Sequence, residues 1–408
     1  MGTWREGEMR GAEGAGPPLW ARAAFGLACV LLAALCLRES APACTPEYGC
    51  LHDYFIRFWL IDYVDGYMRR ALLGWGLGGI VGDRVPFWLL ATIAAGFAAL
   101  WMALSGWALK RASQGDWALV AAFLIGPPLA LAREVASDPM HVVAAAFLAA
   151  LLVPGRASVW IMAALSLPAL AIHEASVFLM LPAAAFAGCA AYGVGLRVAP
   201  VLAGVIALAM AFALLGAETP TSPGHMVLVH GNGVEAQVQG NVLPYPGLDA
   251  LSHTMKLYFG TPFQVVWTGV RAVCVLVWPL LLVALVAART GTWTAAINFL
   301  TLLFLTGPLY VAGWDWGRFS LITLGVALAL AARGINLAAA PEVAWVLRRT
   351  RLDRLATPRV PRLAPVVFAL LFAPWNGYSV NALLPSNAIT YLAVMGAILL
   401  LARPRPQS

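Results

Sequence analysis

The stretch VWIMAALSLPALAIHEASVFLMLPAAAFAGCAA, residues 159–191, is apolar throughout except for two serines and a central His173–Glu174 pair. About 20 apolar residues are needed to cross a bilayer's hydrocarbon. A run of this length with a charged centre reads as two helices that meet at a membrane surface, with His173 and Glu174 in the turn. A glutamate at that depth needs a partner or water. The stretch therefore bears on both the fold and the face on which chemistry is to be sought.

The rest of the chain agrees. It has 408 residues, 61% hydrophobic and 11% charged, with a mean hydropathy of +0.80. Soluble domains carry roughly 25% charged residues, so the expectation is an all-α polytopic membrane protein. In lipid the backbone must satisfy itself, which favours helices, and β-barrel alternation is absent. Sixteen tryptophans suit interfacial belts. Leu19 to Leu37 is long enough to span and lacks a small-residue cleavage pattern, so it reads as the first transmembrane helix.

Candidate helices cover 19–38, 86–109, 117–132, 139–153, 158–172, 175–193, 198–217, 263–288, 293–312, 318–333, 363–374 and 387–402. That is about 12 helices, within a range of 10–13. Several fall short of a full span. Pro127–Pro128 and Pro374 point to broken, tilted or re-entrant segments.

Orientation follows from lysine and arginine. With the N-terminus inside, the cytoplasmic face takes 17 of the 26 basic residues and 6 of the 19 acids, a balance of +11 against −4 outside. The predicted layout is a cytoplasmic tail (1–18), one transmembrane domain (19–402) and a cytoplasmic tail (403–408), in the inner membrane. Two long outer loops, 39–85 and 218–262, carry amphipathic helices. A basic loop, 334–362, faces the cytoplasm. Its arginines read as a topology anchor on anionic headgroups, and no nucleic-acid role is expected.

The cysteines divide simply. Cys29, Cys36, Cys189 and Cys274 lie in apolar runs and read as small core residues. Cys44 and Cys50 share a polar loop and are close enough to bridge in an oxidising compartment.

The residues suited to chemistry gather on the outer face. In the first outer loop Asp53 and Arg57 form an i,i+4 pair, while Asp62, Asp65 and Arg69 stack on one helix face unless Gly66 breaks it. Two close acids serve as a general base or hold a divalent cation such as Mg or Mn. The adjacent Arg69 and Arg70 suit phosphate oxygens. A second turn holds Arg133, Glu134, Asp138 and His141, with Pro139 arguing against one continuous helix. Trp314, Asp315 and Arg318 open a later helix. Asp315 is placed to cap it, and Arg318, set against the helix dipole, needs an anionic partner, either Asp315 or a ligand phosphate. His225, His230 and His253 are too scattered for a zinc site. P-loop, Gly-x-Ser-x-Gly, His-Glu-x-x-His and dinucleotide signatures are missing.

With its many helices, an acid-bearing first outer loop and a later outer loop over the cavity, the chain resembles the integral-membrane glycosyltransferases of the GT-C type. It is more loosely similar to bacterial surface-polysaccharide polymerases. The resemblance implies a donor sugar carried on polyprenyl phosphate or pyrophosphate, a glycan or lipid-linked acceptor, and chemistry at the extracytoplasmic face. It also implies that the first-loop catalytic acid is Asp65 or Asp62, with Asp53 third. There is no Asp-x-Asp, since Asp62-Tyr-Val-Asp65 is one residue longer. Two rival classes are a transporter or flippase for a lipid-linked or anionic substrate, and a noncatalytic envelope-assembly subunit. The first requires polar residues deep in both halves of the bundle. The second requires the acids and arginines to pair with one another.

Overall fold

A computed structural model describes residues 56–60, 72–124, 129, 136–173, 175–215, 226–231, 233–237, 252, 255–256, 259–312 and 316–354. The predicted helices at 19–38, 363–374 and 387–402, the Cys44–Cys50 pair and both chain tails lie outside the described residues.

The apolar runs form helices close to their predicted bounds. After α1 (Leu72–Val81) come α2 (Phe87–Ala112), α3 (Trp117–Leu124), α4 (Met140–Leu152) and α5 (Ala157–Ile172). The next predicted helix is broken into α6 (Ser176–Leu179) and α7 (Leu181–Ala191). The break has a covalent cause: Pro182 has no N–H to continue the ladder and is accommodated in the first turn of α7. Then follow α8 (Val198–Leu215), α9 (Pro262–Thr290), α10 (Thr294–Ala312), α11 (Trp316–Ala332) and α12 (Pro341–Thr350). Pro168, Pro279 and Pro308 lie inside α5, α9 and α10, where each removes a ladder bond. Helix α12, in the basic loop, and α1, in the first long loop, were not among the predicted helices.

Helix α11 is the axis of the bundle. Every residue from Trp316 to Leu330 is buried, as expected of a helix apolar around nearly its whole circumference. Helices α10, α2, α9 and α4 pack around it. It meets α2 tightly at Gly325, where an added Cβ would stand 3.0 Å from Ser105 Oγ. Small residues of this kind let helix backbones approach. Among the described residues one helix, α2, is long and apolar enough to cross a membrane, while eight further segments are apolar but shorter.

The all-α expectation is corrected by a small sheet. Strand β1 (Arg84–Pro86) pairs in parallel with β2 (Val227–Val229), and β2 pairs antiparallel with β3 (Glu235–Gln237). They lie in the two long segments assigned to the outer loops, β1 overrunning the first by one residue, where strand pairing between loops satisfies backbone groups that no helix covers. Val85 and Leu228 are fully buried under the sheet. Arg84 pairs with Glu235 on its exposed side, and His230 stacks on Phe87 at 4.4 Å between ring centroids. Gly233, at φ +79°, supplies the left-handed turn of the β2–β3 hairpin. The described residues of the expected later-loop helix, 252, 255–256 and 259, are helical.

The other end of the bundle has its own polar ties. Arg289 Nε lies 2.7 Å from Asp116. Arg333 donates to the Leu151 carbonyl at 3.1 Å and to Ser158 Oγ at 2.7 Å. The Glu342 carboxylate accepts the Ala199 N–H at 3.3 Å, fastening α12 to the start of α8. Each tie joins segments that the charge pattern assigns to the same face. Cys189, expected in the core, is half-buried and free.

Candidate functional site

Four of the predicted site residues are described, and they meet. Asp138 sits in the turn before α4, His141 in the first turn of α4, His173 at the end of α5, and Arg318 in the first turn of α11. All four are buried, with exposures of 1%, 1%, 5% and 2%. These groups are packed beneath the surface.

Pro139 explains the local geometry of Asp138. Its ring delays the helix until Met140, leaving Asp138 in the preceding turn. Asp138 Oδ1 accepts the Met140 N–H at 2.9 Å, satisfying a backbone donor at the start of α4. The other carboxylate oxygen, Oδ2, accepts from Arg318 Nη1. Arg318 does have the anionic partner its position against the helix dipole demanded. Among the described residues that partner is Asp138, 180 residues away in sequence. As Pro139 argued, no continuous helix runs from Asp138 into His141: Asp138 lies in the turn before Met140.

Burial pushes the Asp138 carboxyl up. The Arg318 guanidinium, with smaller contributions from His141, His173 and the Met140 N–H, outweighs that penalty and holds the group below its ordinary value. Asp138 is therefore an anion that holds Arg318 in place, and it is poorly suited to act as a general base.

The two histidines are set differently. His173 ends α5 in an extended conformation, and its Nδ1 accepts the Ala175 N–H at 3.2 Å. In the neutral ring this places the proton on Nε2. His141 stacks on Trp101 of α2, with centroids 5.3 Å apart and planes 24° from parallel. The Ala136 backbone comes near this ring without the distance and angle of a hydrogen bond, and neither ring nitrogen has a partner. Trp101 Nε1, Ser105 Oγ and Thr323 Oγ1 are likewise buried without one. An isolated polar group inside an apolar helix carries no spacing signal, so Trp101 was not legible as a neighbour of the site.

The first outer segment reaches the cluster through Trp59. Its Nε1 donates to the Ser137 carbonyl at 2.6 Å, one residue before Asp138. Ile56, Phe58, Trp59 and Leu60 are all buried, so the short turn Arg57–Trp59 is an anchor. Asp53, Asp62, Asp65, Arg69, Arg70, Arg133, Glu134, Glu174, Trp314 and Asp315 lie outside the described residues. Among the described residues no three His, Cys, Asp or Glu side chains are grouped as metal ligands.

The arrangement combines a desolvated guanidinium, a carboxylate that fixes it, and two buried imidazoles. It offers hydrogen-bond donors to an anion or hydroxyl from three helices. No protein family, curated protein or solved structure matches this chain.

Proposed function

We propose that the chain transfers a sugar or glycan repeat unit from a polyprenyl-(pyro)phosphate-linked donor at the outer face of the cytoplasmic membrane, in envelope polysaccharide synthesis. The observation that carries the reading is the convergence of Asp138, His141, His173 and Arg318 at one end of the bundle, with the first long segment tied by Trp59 to Ser137 beside it. In this reading Asp62 or Asp65, with Asp53 third, deprotonates the acceptor hydroxyl. Arg69, Arg70 and Arg318 bind the phosphate that leaves with the lipid. Arg133, Glu134, His141, His173, Glu174, Trp314 and Asp315 line the pocket, and Asp138 positions Arg318. A divalent cation, Mg or Mn, is an optional helper at the acid pair. The Trp59–Ser137 hydrogen bond supports this reading, because the tethered turn lies between Asp53 and Asp62 in sequence.

A second reading has its own observation. Asp138 and Arg318 pair with each other, as expected of a noncatalytic envelope-assembly subunit. Purified protein supplied with polyprenyl-phosphate-linked sugars and acceptor distinguishes the two. The transferase reading predicts turnover that is lost in Asp62→Ala or Asp65→Ala while thermal stability is kept. Full activity in both variants removes those acids from catalysis, and no turnover by the wild type with any such donor favours the subunit.

A further inference from the structure

We infer that the outward face of α12 is a docking surface for anionic lipid headgroups. The inference stands on the opposite end of the bundle and does not rest on glycosyl transfer.

Helix α12 lies against the bundle along one side. Val343, Ala344 and Leu347 are half-buried, and Glu342 is fastened to the Ala199 N–H. Its other side is open: Trp345 is 62% exposed, and Arg348 and Arg349 are exposed. These three stand at i, i+3 and i+4, so they share one face. Arg351 closes the helix in the left-handed conformation at φ 60°. Beyond it the turn Leu352–Arg354 leaves Leu352 and Arg354 exposed. Within seven residues the surface carries four arginines and one carboxylate, Asp353.

Charge selects an anionic partner, and the apolar side chains select among anions. Trp345, Val346 and Leu352 are all exposed, interleaved with the arginines. An indole flanked by guanidiniums suits the headgroup layer, with the ring at the interface and the cations on phosphates. A nucleic acid would meet the cations but leave Val346 and Leu352 in water. Helix α12 is also held on α8 by the Glu342 tie, so its open face is presented in a fixed orientation.

The test uses the full chain in nanodiscs, with amide hydrogen exchange read across residues 341–354. Discs of phosphatidylcholine alone are compared with discs that also contain phosphatidylglycerol. Slower exchange in the anionic discs is expected. That difference should vanish when Arg348, Arg349, Arg351 and Arg354 are all changed to Gln, and persist when all four are changed to Lys. Each arginine contributes about fivefold to surface affinity, so the loss is large. Trp345→Ala should weaken protection in both lipids. Unchanged amides in α2 and α11 verify the fold, and if the Gln variant misfolds, the wild-type comparison decides. Equal exchange in the two lipids overturns the inference. So does equal protection by a soluble oligonucleotide in phosphatidylcholine discs, which would assign the face to nucleic acid.

Discussion

The Asp138 carboxylate holds two helices at once, accepting the Met140 N–H at the start of α4 and the guanidinium of Arg318 at the start of α11. The pair is desolvated on both sides, with side-chain exposures of 3% for Arg318 and 0% for Asp138. Removing one member strands a buried charge, so Arg318→Gln or Asp138→Asn should each destabilise the protein by about 3–5 kcal/mol. The double variant Asp138→Asn/Arg318→Gln should cost far less than the sum, because no charge is left alone. Thermal unfolding of the four proteins measures this coupling. Strictly additive losses would show that the two side chains do not depend on each other.

The same pair sets an acid limit. Arg318 holds the folded Asp138 carboxyl below its unfolded value of about 3.9. The stabilisation from that shift is therefore present above the unfolded value and is lost as pH falls through the lower folded one. Between pH 7 and pH 5 this group should add no slope to the melting temperature. Below about pH 4 the wild type should lose stability, and Asp138→Asn should lack that component. Melting curves across pH read both.

The three-stranded sheet divides its residues by burial. Arg84 and Glu235 form an ion pair with side chains 66% and 45% exposed, and such pairs contribute about 0–1 kcal/mol. Arg84→Ala should barely change resistance to limited proteolysis. Leu228 is fully buried beneath the central strand, and Leu228→Asp places an unpaired charge there. It should open both outer segments to cleavage. Equal sensitivity in the two variants would mean that the ion pair, and not the apolar underside, holds the loops together.

Much of the helix plan was legible because each span repeats one signal over many residues. Nine of the twelve described helices start within a residue or two of the bounds read from hydropathy; α1, α7 and α12 do not. What escaped was encoded in pairs distant along the chain. Nothing near Arg318 in sequence names Asp138, 180 residues away. The strands are three residues each, too short to show alternation, and they exist only because two loops meet. Helix α12 was hidden by its arginines, which read as loop charge until Val343, Ala344 and Leu347 found a surface to lie on. The site was legible as a face, since His173 and Arg318 were both assigned to it, while its burial was not.

Gly325 and Ser105 test how tightly α11 is seated. An added Cβ at Gly325 would lie 3.0 Å from Ser105 Oγ, with a Leu148 methyl at 3.6 Å. Gly325→Ala should destabilise by about 1–3 kcal/mol through overpacking, despite the better helix propensity of alanine. Ser105→Ala removes the offending oxygen, which has no hydrogen-bond partner, and should restore most of the loss. If the double variant is no more stable than Gly325→Ala, the contact at Ser105 is not the cause.

His141 separates packing from chemistry. Its ring stacks on Trp101, and both nitrogens are buried without a partner. Phenylalanine keeps a flat ring against the indole and removes two desolvated polar atoms. His141→Phe should therefore keep the melting temperature or raise it, by about 1 kcal/mol of stability. If His141 contacts substrate as proposed, the same change abolishes transfer from the lipid-linked donor without unfolding the bundle. A lowered melting temperature would mean that the nitrogens are engaged in the folded protein after all. Unchanged transfer would leave His141 as a core ring that holds α4 to α2, and would leave substrate binding to Arg318, His173 and the first outer segment.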